Sequence, residues 1–172
     1  MGGGIRDSRY KKTEEKFLAV FFDNPNCTMK QLAQKAGVAY STIYTHHHSI
    51  HEIVADYKRD ILAEYEKIVE RKLKNAELKI MYLEMLIFVV KNRQVFEMFV
   101  KFEDREVVMK MILKLKSKII VPDMILRICA AEITEVIFEW GERGFPENEI
   151  EKVLADMMYL TKTCRERLEP LI

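Results

Sequence analysis

The fold of this chain depends most on one segment, Leu32-Ala-Gln-Lys-Ala-Gly-Val-Ala-Tyr-Ser-Thr-Ile-Tyr44. Two short helices that cross steeply over a tight turn need a small residue at their closest approach, and Ala33 is such a residue. The turn needs a residue that tolerates a positive φ, and Gly37 follows four positions later. Val38 and Ile43 can hold the second helix against the first. These positions together predict a helix-turn-helix, although an ordinary helical hairpin remains an alternative.

The flanking segments also predict helices. Residues 10 to about 22 place Tyr and Phe side chains at helical spacing. Thr28-Met-Lys-Gln31 is a capping box for the second helix, and a third short helix runs from about Ala39 to His46 or His47. Ser49-Ile-His-Glu52 is a second capping box, and it opens an apolar stripe of roughly 24 residues at 3–4 spacing.

The remainder of the chain shows no sustained alternation of apolar and polar residues, which excludes a sheet of half-buried strands. We therefore predict an all-α protein of about nine helices. The N-terminal three-helix domain covers residues 1–48, and a C-terminal helical ligand-binding and dimerisation domain covers 49–172. The helices of the second domain are predicted to break around Asn92, near Asp104, at Val121-Pro-Asp123 and at Gly144-Phe-Pro146.

Composition narrows the class of protein. Hydrophobic residues make up 49% of the chain, which is enough for a core, and only 6 Gly and 4 Pro interrupt it. Residues 1–50 carry seven Lys/Arg against four Asp/Glu, whereas the rest carries 21 against 23. A net positive charge in residues 1–50 and a net negative charge in the rest fit a nucleic-acid partner that binds the N-terminal part, although a charge difference of this size can also arise by chance.

Three distant cysteines do not predict a disulfide framework of the secreted type. The N-terminus has no apolar core of a signal peptide, and the longest apolar run, Met85 to Val90, is too short to span a bilayer. We expect a cytoplasmic protein with no membrane partner and no cofactor. We find no nucleophile elbow or Gly-rich phosphate loop, so we do not expect an enzyme.

The segment from Thr28 to Ile53 resembles the signature of the TetR family of transcriptional regulators. Ala36-Gly-Val38, Ser41-Thr-Ile-Tyr44 and His46 match the signature as they stand. Two later segments resemble the C-terminal part of a Gram-positive branch of that family: Asn92-Arg-Gln-Val-Phe96 and Phe138-Glu-Trp-Gly-Glu-Arg-Gly-Phe-Pro146. The resemblance implies a homodimer that binds double-stranded DNA at a palindromic operator and is released by a small hydrophobic ligand.

Position on the predicted recognition helix assigns the DNA contacts. Side chains in the major groove read bases, while hydroxyls, cations and helix N-termini contact phosphates. We expect base contacts from Tyr40, Ser41 and Thr45. We expect backbone contacts from Thr28, Thr42, Tyr44 and His46, and electrostatic attraction from Lys12 with Arg9 and Lys11. Alternatively, Tyr44 packs in the core, and Ser41 and Thr45 form a merely solvated face.

Three positions depart from the family pattern. Ala39 stands where Ser or Thr usually caps the recognition helix, and the loss of such a cap costs about 1 kcal/mol. His47 stands where an aromatic residue is usual, and Ile50 often corresponds to a Lys that contacts phosphate. These departures keep open an alternative, a helical interaction protein or a protein-controlled activator of the same fold with weak or lost DNA binding.

All four histidines lie within six residues, at positions 46, 47, 48 and 51. Neutral imidazoles bind Zn, Ni or Cu, so the cluster could hold a metal ion. The run crosses a helix junction, where the side chains should diverge, and a pH-dependent phosphate contact is the stronger alternative. We predict no metal site.

The resemblance implies a ligand pocket among the middle helices, and Met and aromatic side chains suit an adaptable apolar pocket. The candidate ligand-binding residues are Tyr82, Met85, Phe88, Phe99 and Trp140. Plain core packing is the alternative for each of them. The last two helices carry broad apolar faces that could pair across a two-fold axis into a four-helix bundle, and the alternative is that they form the core of a monomer. Those faces consist of Cys129, Ala130, Ala131, Ile133, Val136 and Ile137, and of Leu154, Met157, Met158, Thr161, Cys164 and Leu168.

Overall fold

The computed structural model of the chain describes residues 8–24, 26–45, 47–73, 75–115 and 122–168. These residues contain no β-strand, and the prediction of an all-α protein is confirmed for them. A short 3-10 helix, Glu147–Glu149, precedes the last α-helix. The α-helices are α1 (Ser8–Asp23), α2 (Met29–Ala36), α3 (Tyr40–Tyr44), α4 (Ile50–Lys72), α5 (Leu78–Lys91), α6 (Arg93–Lys101), α7 (Glu106–Leu113), α8 (Asp123–Glu142) and α9 (Ile150–Leu168).

The chain forms two compact units, Met1–Ile61 and Leu62–Ile172. The division between them falls inside α4, because this long helix contributes residues to both units. The domain boundary predicted between residues 48 and 49 lies just before α4, which begins at Ile50. The division into a DNA-binding domain and a ligand-binding domain stays a prediction.

The core of the first unit comes from three short helices. Phe17 and Leu18 of α1, Leu32 and Ala33 of α2 and Ile43 of α3 are all at most 3% exposed. Burying a side chain of Leu, Ile or Phe size contributes about 1.5–3 kcal/mol, so these few residues hold the three helices together. Ala33 is the small residue that the sequence predicted at the helix crossing, and its burial agrees with that role.

The breaks in the second unit lie where the sequence predicted them. Asn92 separates α5 from α6, and its Nδ2 donates a hydrogen bond of 2.9 Å to the carbonyl of Phe88. The same carbonyl also accepts from the N–H of Asn92 at 3.1 Å, so Asn92 closes the end of α5 with both its backbone and its side chain. Asp104 lies between α6 and α7, and its Oδ1 accepts from the N–H of Glu106 at 3.3 Å.

The end of α8 turns sharply around buried aromatic residues. Gly144 has a φ of 78°, and Phe145, with a φ of 49°, is fully buried with its ring 5.1 Å from that of Trp140. The indole N–H of Trp140 donates to the carbonyl of Pro146 at 3.1 Å. A β-carbon on Gly141 would lie 2.5 Å from Val100 Cγ2, so the close approach of α6 and α8 requires glycine there.

Candidate nucleic-acid interface

The start of α2 is fixed by the predicted capping box, which is confirmed. The Thr28 hydroxyl accepts from the N–H of Gln31 at 3.3 Å, and the N–H of Thr28 donates to Gln31 Oε1 at 2.9 Å. Two backbone donors of the helix start are thereby satisfied within four residues. Thr28 remains exposed, so its hydroxyl lies at the surface where a phosphate contact was predicted.

The turn between α2 and α3 depends on Gly37. Its φ of 68° and ψ of 33° place it in the left-handed region, and the N–H of Val38 donates to the carbonyl of Ala33 at 3.0 Å. No atom lies within 4 Å of the position that a β-carbon would occupy. The backbone conformation, and not a lack of space, is therefore the reason for glycine, as the sequence predicted.

Helix α3 has one buried anchor and an exposed face. Ile43 is 1% exposed, whereas Tyr40 and Tyr44 are 45% and 42% exposed. Ser41 and Thr45 are also exposed, and the Thr45 hydroxyl donates to the carbonyl of Ser41 at 2.8 Å. The exposure of Tyr44 contradicts the alternative in which its ring packs in the core. Four of the predicted DNA-contacting residues therefore share one solvent-facing surface.

The two exposed tyrosines of this surface form a pair. The centroids of the Tyr40 and Tyr44 rings lie 4.7 Å apart, with a tilt of 50° between their planes. The hydrogen bond with Tyr44 raises the pKa of the Tyr40 hydroxyl above its usual value. This hydroxyl is therefore uncharged at neutral pH, so it neither repels a phosphate nor loses its ability to donate.

The starts of α3 and α4 differ from that of α2. Ala39 precedes α3 and makes no side-chain capping hydrogen bond. At α4, Ser49 Oγ accepts from the N–H of Glu52 at 3.2 Å, but Glu52 Oε2 accepts from the N–H of His48 at 2.6 Å. The predicted capping box would pair Glu52 with the N–H of Ser49. Glu52 instead accepts from the N–H of His48, one residue earlier. Ile50 is half-buried at this helix start, and it provides no charge for a phosphate.

The histidines lie in different environments. His47 is 2% exposed, with its Nδ1 3.8 Å from Asp56 Oδ2, and Asp56 also pairs with Arg59. His48 and His51 are exposed. The described part of the chain holds no group of three or more His, Cys, Asp or Glu side chains arranged to bind a metal ion. His46 and the side chains of Lys12 and Thr42 lie outside the described residues, as do those of Arg9 and Lys11.

The candidate ligand-binding residues are core residues of the second unit. Tyr82, Met85, Phe88, Phe99 and Trp140 are each at most 3% exposed. The Tyr82 hydroxyl forms a 2.9 Å hydrogen bond with the Thr161 hydroxyl, and Thr161 Oγ1 also donates to the carbonyl of Met157. Any ligand among these side chains would have to displace core contacts.

A surface groove lies elsewhere, between α8 and α9. Its volume is about 320 Å³, and none of the five candidate ligand residues lines it. Apolar and charged side chains share its lining, which consists of Val136, Glu139, Arg143, Lys152, Val153, Asp156, Tyr159 and Leu160. A groove with cations, carboxylates and apolar atoms side by side suits a protein surface better than a small apolar ligand.

The apolar faces predicted for a dimer are mostly buried within the chain itself, which favours the alternative of a monomeric core for these side chains. The following residues are buried against neighbouring helices of the same chain: Cys129, Ala130, Ile133, Ile137, Leu154, Met157 and Cys164. Sequence reasoning missed the apolar side chains that do face outward on α8 and α9: Met124, Ile128 and Tyr159 are 68%, 41% and 66% exposed. The four-residue spacing of Met124 and Ile128 was the available signal.

No family model, curated protein or solved structure matches the chain. The resemblance of residues 28–53 to the TetR signature therefore stays a prediction. Among the described residues, no helix combines the length and the apolar character that are needed to cross a lipid bilayer.

Proposed function

We propose that this chain is a DNA-binding transcriptional regulator of the TetR type, in which α2 and α3 form a helix-turn-helix. The observation that supports the proposal is the exposed face of α3, which stands on a buried Ile43 and follows the left-handed Gly37. A helix that must enter the major groove has to project polar and aromatic side chains while one apolar side chain holds it in place.

Each exposed side chain has a role that its chemistry supports. Tyr40 and Ser41 offer hydroxyls to base edges, and the Tyr ring can contact a thymine methyl group. Thr45 already donates its hydroxyl hydrogen to Ser41, so its oxygen is an acceptor for a base amino group. Tyr44 and Thr28, which have exposed hydroxyls, are assigned to backbone phosphates, and so are Thr42, His46 and Lys12 by their positions in the sequence.

The regulator acts as a homodimer in the cytoplasm. Met124 and Ile128, one helical turn apart on α8, and Tyr159 on α9 are exposed large apolar side chains, and these are the candidates for the interface between the two copies. A two-fold dimer presents two recognition helices to half-sites one helical turn apart, about 34–36 Å, which favours a palindromic operator.

Repression is relieved by a small hydrophobic effector that binds among the core residues Tyr82, Met85, Phe88, Phe99 and Trp140. A ligand shifts the equilibrium only if it binds the two conformations with unequal affinity. Because these side chains are fully packed, the effector-bound conformation needs a rearranged core, and this supplies the difference between the two states.

A second candidate function is a helical interaction protein, or a protein-controlled activator, with weak or lost DNA binding. The uncapped start of α3 at Ala39 and the half-buried Ile50 at the start of α4 favour it. The stacked Tyr40 and Tyr44 would then be an aromatic anchor for a protein partner, since tyrosines are enriched at such interfaces.

The test is binding of the purified chain to a labelled duplex from upstream of its own gene and to a scrambled duplex of equal composition. Fluorescence anisotropy is recorded from 50 to 200 mM salt. Tyr40→Ala should reduce the preference for the upstream duplex about tenfold, whereas Lys12→Ala should weaken both duplexes equally and lower the salt slope by about one.

Ile80→Ala is the control, because Ile80 is an exposed apolar residue of α5, far along the chain from α3. It should leave both affinities unchanged. Equal binding of both duplexes by the unmodified chain, or identical responses to Tyr40→Ala and Lys12→Ala, contradicts specific recognition by α3. The absence of salt-dependent binding supports the interaction-protein alternative.

A further inference from the structure

Two of the three cysteines lie together between α8 and α9. Cys129 and Cys164 are 1% and 5% exposed and belong to one buried cluster with Ile125. Each thiol is near enough to the other to perturb its pKa. Cys164 Sγ also donates to Glu132 Oε2 at 3.0 Å, so a carboxylate stands beside the pair.

We propose that Cys129 and Cys164 form an oxidative modification site, at which a peroxide converts the two thiols into a disulfide within the chain. Free buried cysteines usually serve as small apolar residues, and an isolated one would carry no such inference. Here Cys129 of α8 and Cys164 of α9, which are 35 residues apart in the sequence, pack in one buried cluster, and an intramolecular disulfide requires two cysteines that are neighbours in space.

The reaction is balanced with hydrogen peroxide as the oxidant. One sulfur, as thiolate, attacks a peroxide oxygen, the O–O bond breaks, and the departing hydroxide takes up a proton to leave as water. The resulting sulfenic acid is attacked by the second sulfur, which forms the S–S bond and expels a second water. Each cysteine loses one proton and one electron, and the peroxide is reduced to two molecules of water.

The surroundings of the two thiols make their oxidation slow at neutral pH and make its rate depend on pH. Burial raises the pKa of the Cys129 thiol, and burial together with the hydrogen bonds to Cys129 and Glu132 raises that of Cys164. Since the thiolate is the nucleophile, the rate at neutral pH is low and rises about tenfold per pH unit. The site thus responds to sustained oxidant and not to a brief pulse.

The disulfide would have a direct structural consequence. Cys129 lies in the first half of α8 and Cys164 in the last two turns of α9, so the bond ties together the two ends of one helical hairpin. It also removes the thiol hydrogen that Glu132 accepts. The relation between α8 and α9 becomes covalent, whichever partner these helices bind.

The experiment uses the 172-residue chain with Cys27→Ser, in which Cys129 and Cys164 are the remaining cysteines. Native protein is incubated with hydrogen peroxide at pH 7 and pH 8.5, then denatured. Free thiols should fall from two per chain to none, about tenfold faster per pH unit, and peptide mass spectrometry should show Cys129 linked to Cys164. If Cys27→Ser does not fold, peptide mass spectrometry of the oxidised unmodified chain identifies which cysteines are linked.

Three controls make the result decisive. Cys164→Ser should give no link, and its remaining Cys129 should proceed to sulfinic acid. Glu132→Gln removes the anionic acceptor and should react faster, whereas Glu139→Gln, an exposed carboxylate on the same helix, should react at the unmodified rate. A disulfide between two chains, sulfinic acid on either cysteine without the link, or two intact thiols after hours at pH 8.5 overturns the proposal.

Discussion

Two buried tyrosines of the second unit should respond in opposite ways to the same substitution. Tyr65 and Tyr82 are both 0% exposed, and Tyr→Phe removes a hydroxyl from each. The Tyr82 hydroxyl hydrogen-bonds the Thr161 hydroxyl at 2.9 Å. The Tyr65 hydroxyl has no hydrogen-bond partner among the described residues. The chemical change is identical, so any difference in the free energy of unfolding arises from the surroundings of the two oxygens.

The magnitudes follow from what each hydroxyl does. Tyr82→Phe should lower the free energy of unfolding by about 1 kcal/mol, the net contribution of one hydrogen bond. Thr161 keeps its 2.9 Å bond to the carbonyl of Met157, so no further group is left unsatisfied. Tyr65→Phe removes a buried hydroxyl that gains nothing from the fold, and should raise the free energy of unfolding by about 1 kcal/mol or more. The two variants should therefore differ by about 2 kcal/mol.

The assay is equilibrium unfolding in urea, followed by the fluorescence of Trp140. This is the one tryptophan of the chain, it is fully buried, and it lies in the second unit with both tyrosines. With a slope of about 2 kcal/mol/M, a difference of about 2 kcal/mol separates the two midpoints by about 1 M. Circular dichroism must give the same midpoints if a single free energy is to be quoted.

The outcome that refutes the reasoning is a loss of stability in Tyr65→Phe equal to that in Tyr82→Phe. Such a result would mean that the Tyr65 hydroxyl contributes as much as a hydrogen-bonded one. Tyr159→Phe is the control, because this tyrosine is 66% exposed on α9 and its substitution should change the free energy of unfolding by less than about 0.5 kcal/mol.

Three further predictions concern backbone strain, packing and pH. Gly37→Ala should destabilise the first unit by about 1–2 kcal/mol through its φ of 68° alone, seen as faster amide exchange in α2 and α3, and unchanged exchange would contradict this. Gly141→Ala should cost about 1–3 kcal/mol in urea, because its β-carbon meets Val100 Cγ2 at 2.5 Å and Phe145 Cζ at 2.6 Å, and a Val100→Ala background should remove only part of the loss. Burial raises the pKa of Tyr82 from 10.0 to about 12, so the folded state holds this proton more tightly. The resulting stability is present below pH 10 and is lost as the pH rises through 12. Urea midpoints between pH 9 and 12 should fall less for Tyr82→Phe than for the unmodified chain.

Local structure could be read from the sequence because its causes lie within a few residues. The Thr28–Gln31 capping box, the left-handed Gly37 and the break at Asn92 each depend on side chains and backbone groups at most four residues apart. The same is true of Ser41 in α3, since helical spacing puts it on the opposite face from the buried Ile43 two residues later. Tyr40 lies three residues before Ile43, on the adjoining side of the helix, so its exposure did not follow from spacing alone. The second capping box was placed less well, because Glu52 could reach either of two neighbouring N–H groups.

The direction in which an apolar helix face points could not be read in this way. Most residues of α8 and α9 that the sequence predicted at a dimer interface are buried in the core of the chain itself. Met124, Ile128 and Tyr159 face outward. An apolar pattern indicates that one face of a helix is buried. It does not indicate whether that face packs against the same chain or against another chain.

The all-α class, the capped start of α2 and the left-handed turn at Gly37 follow from the sequence alone, since each rests on hydrogen bonds and dihedral preferences of near neighbours. Three features follow from the tertiary packing: Cys129 lies beside Cys164, Tyr82 bonds Thr161, and the Tyr65 hydroxyl has no hydrogen-bond partner within the described part of the chain. Such pairings join residues tens of positions apart, and they depend on how whole helices pack, which no local pattern of side chains encodes.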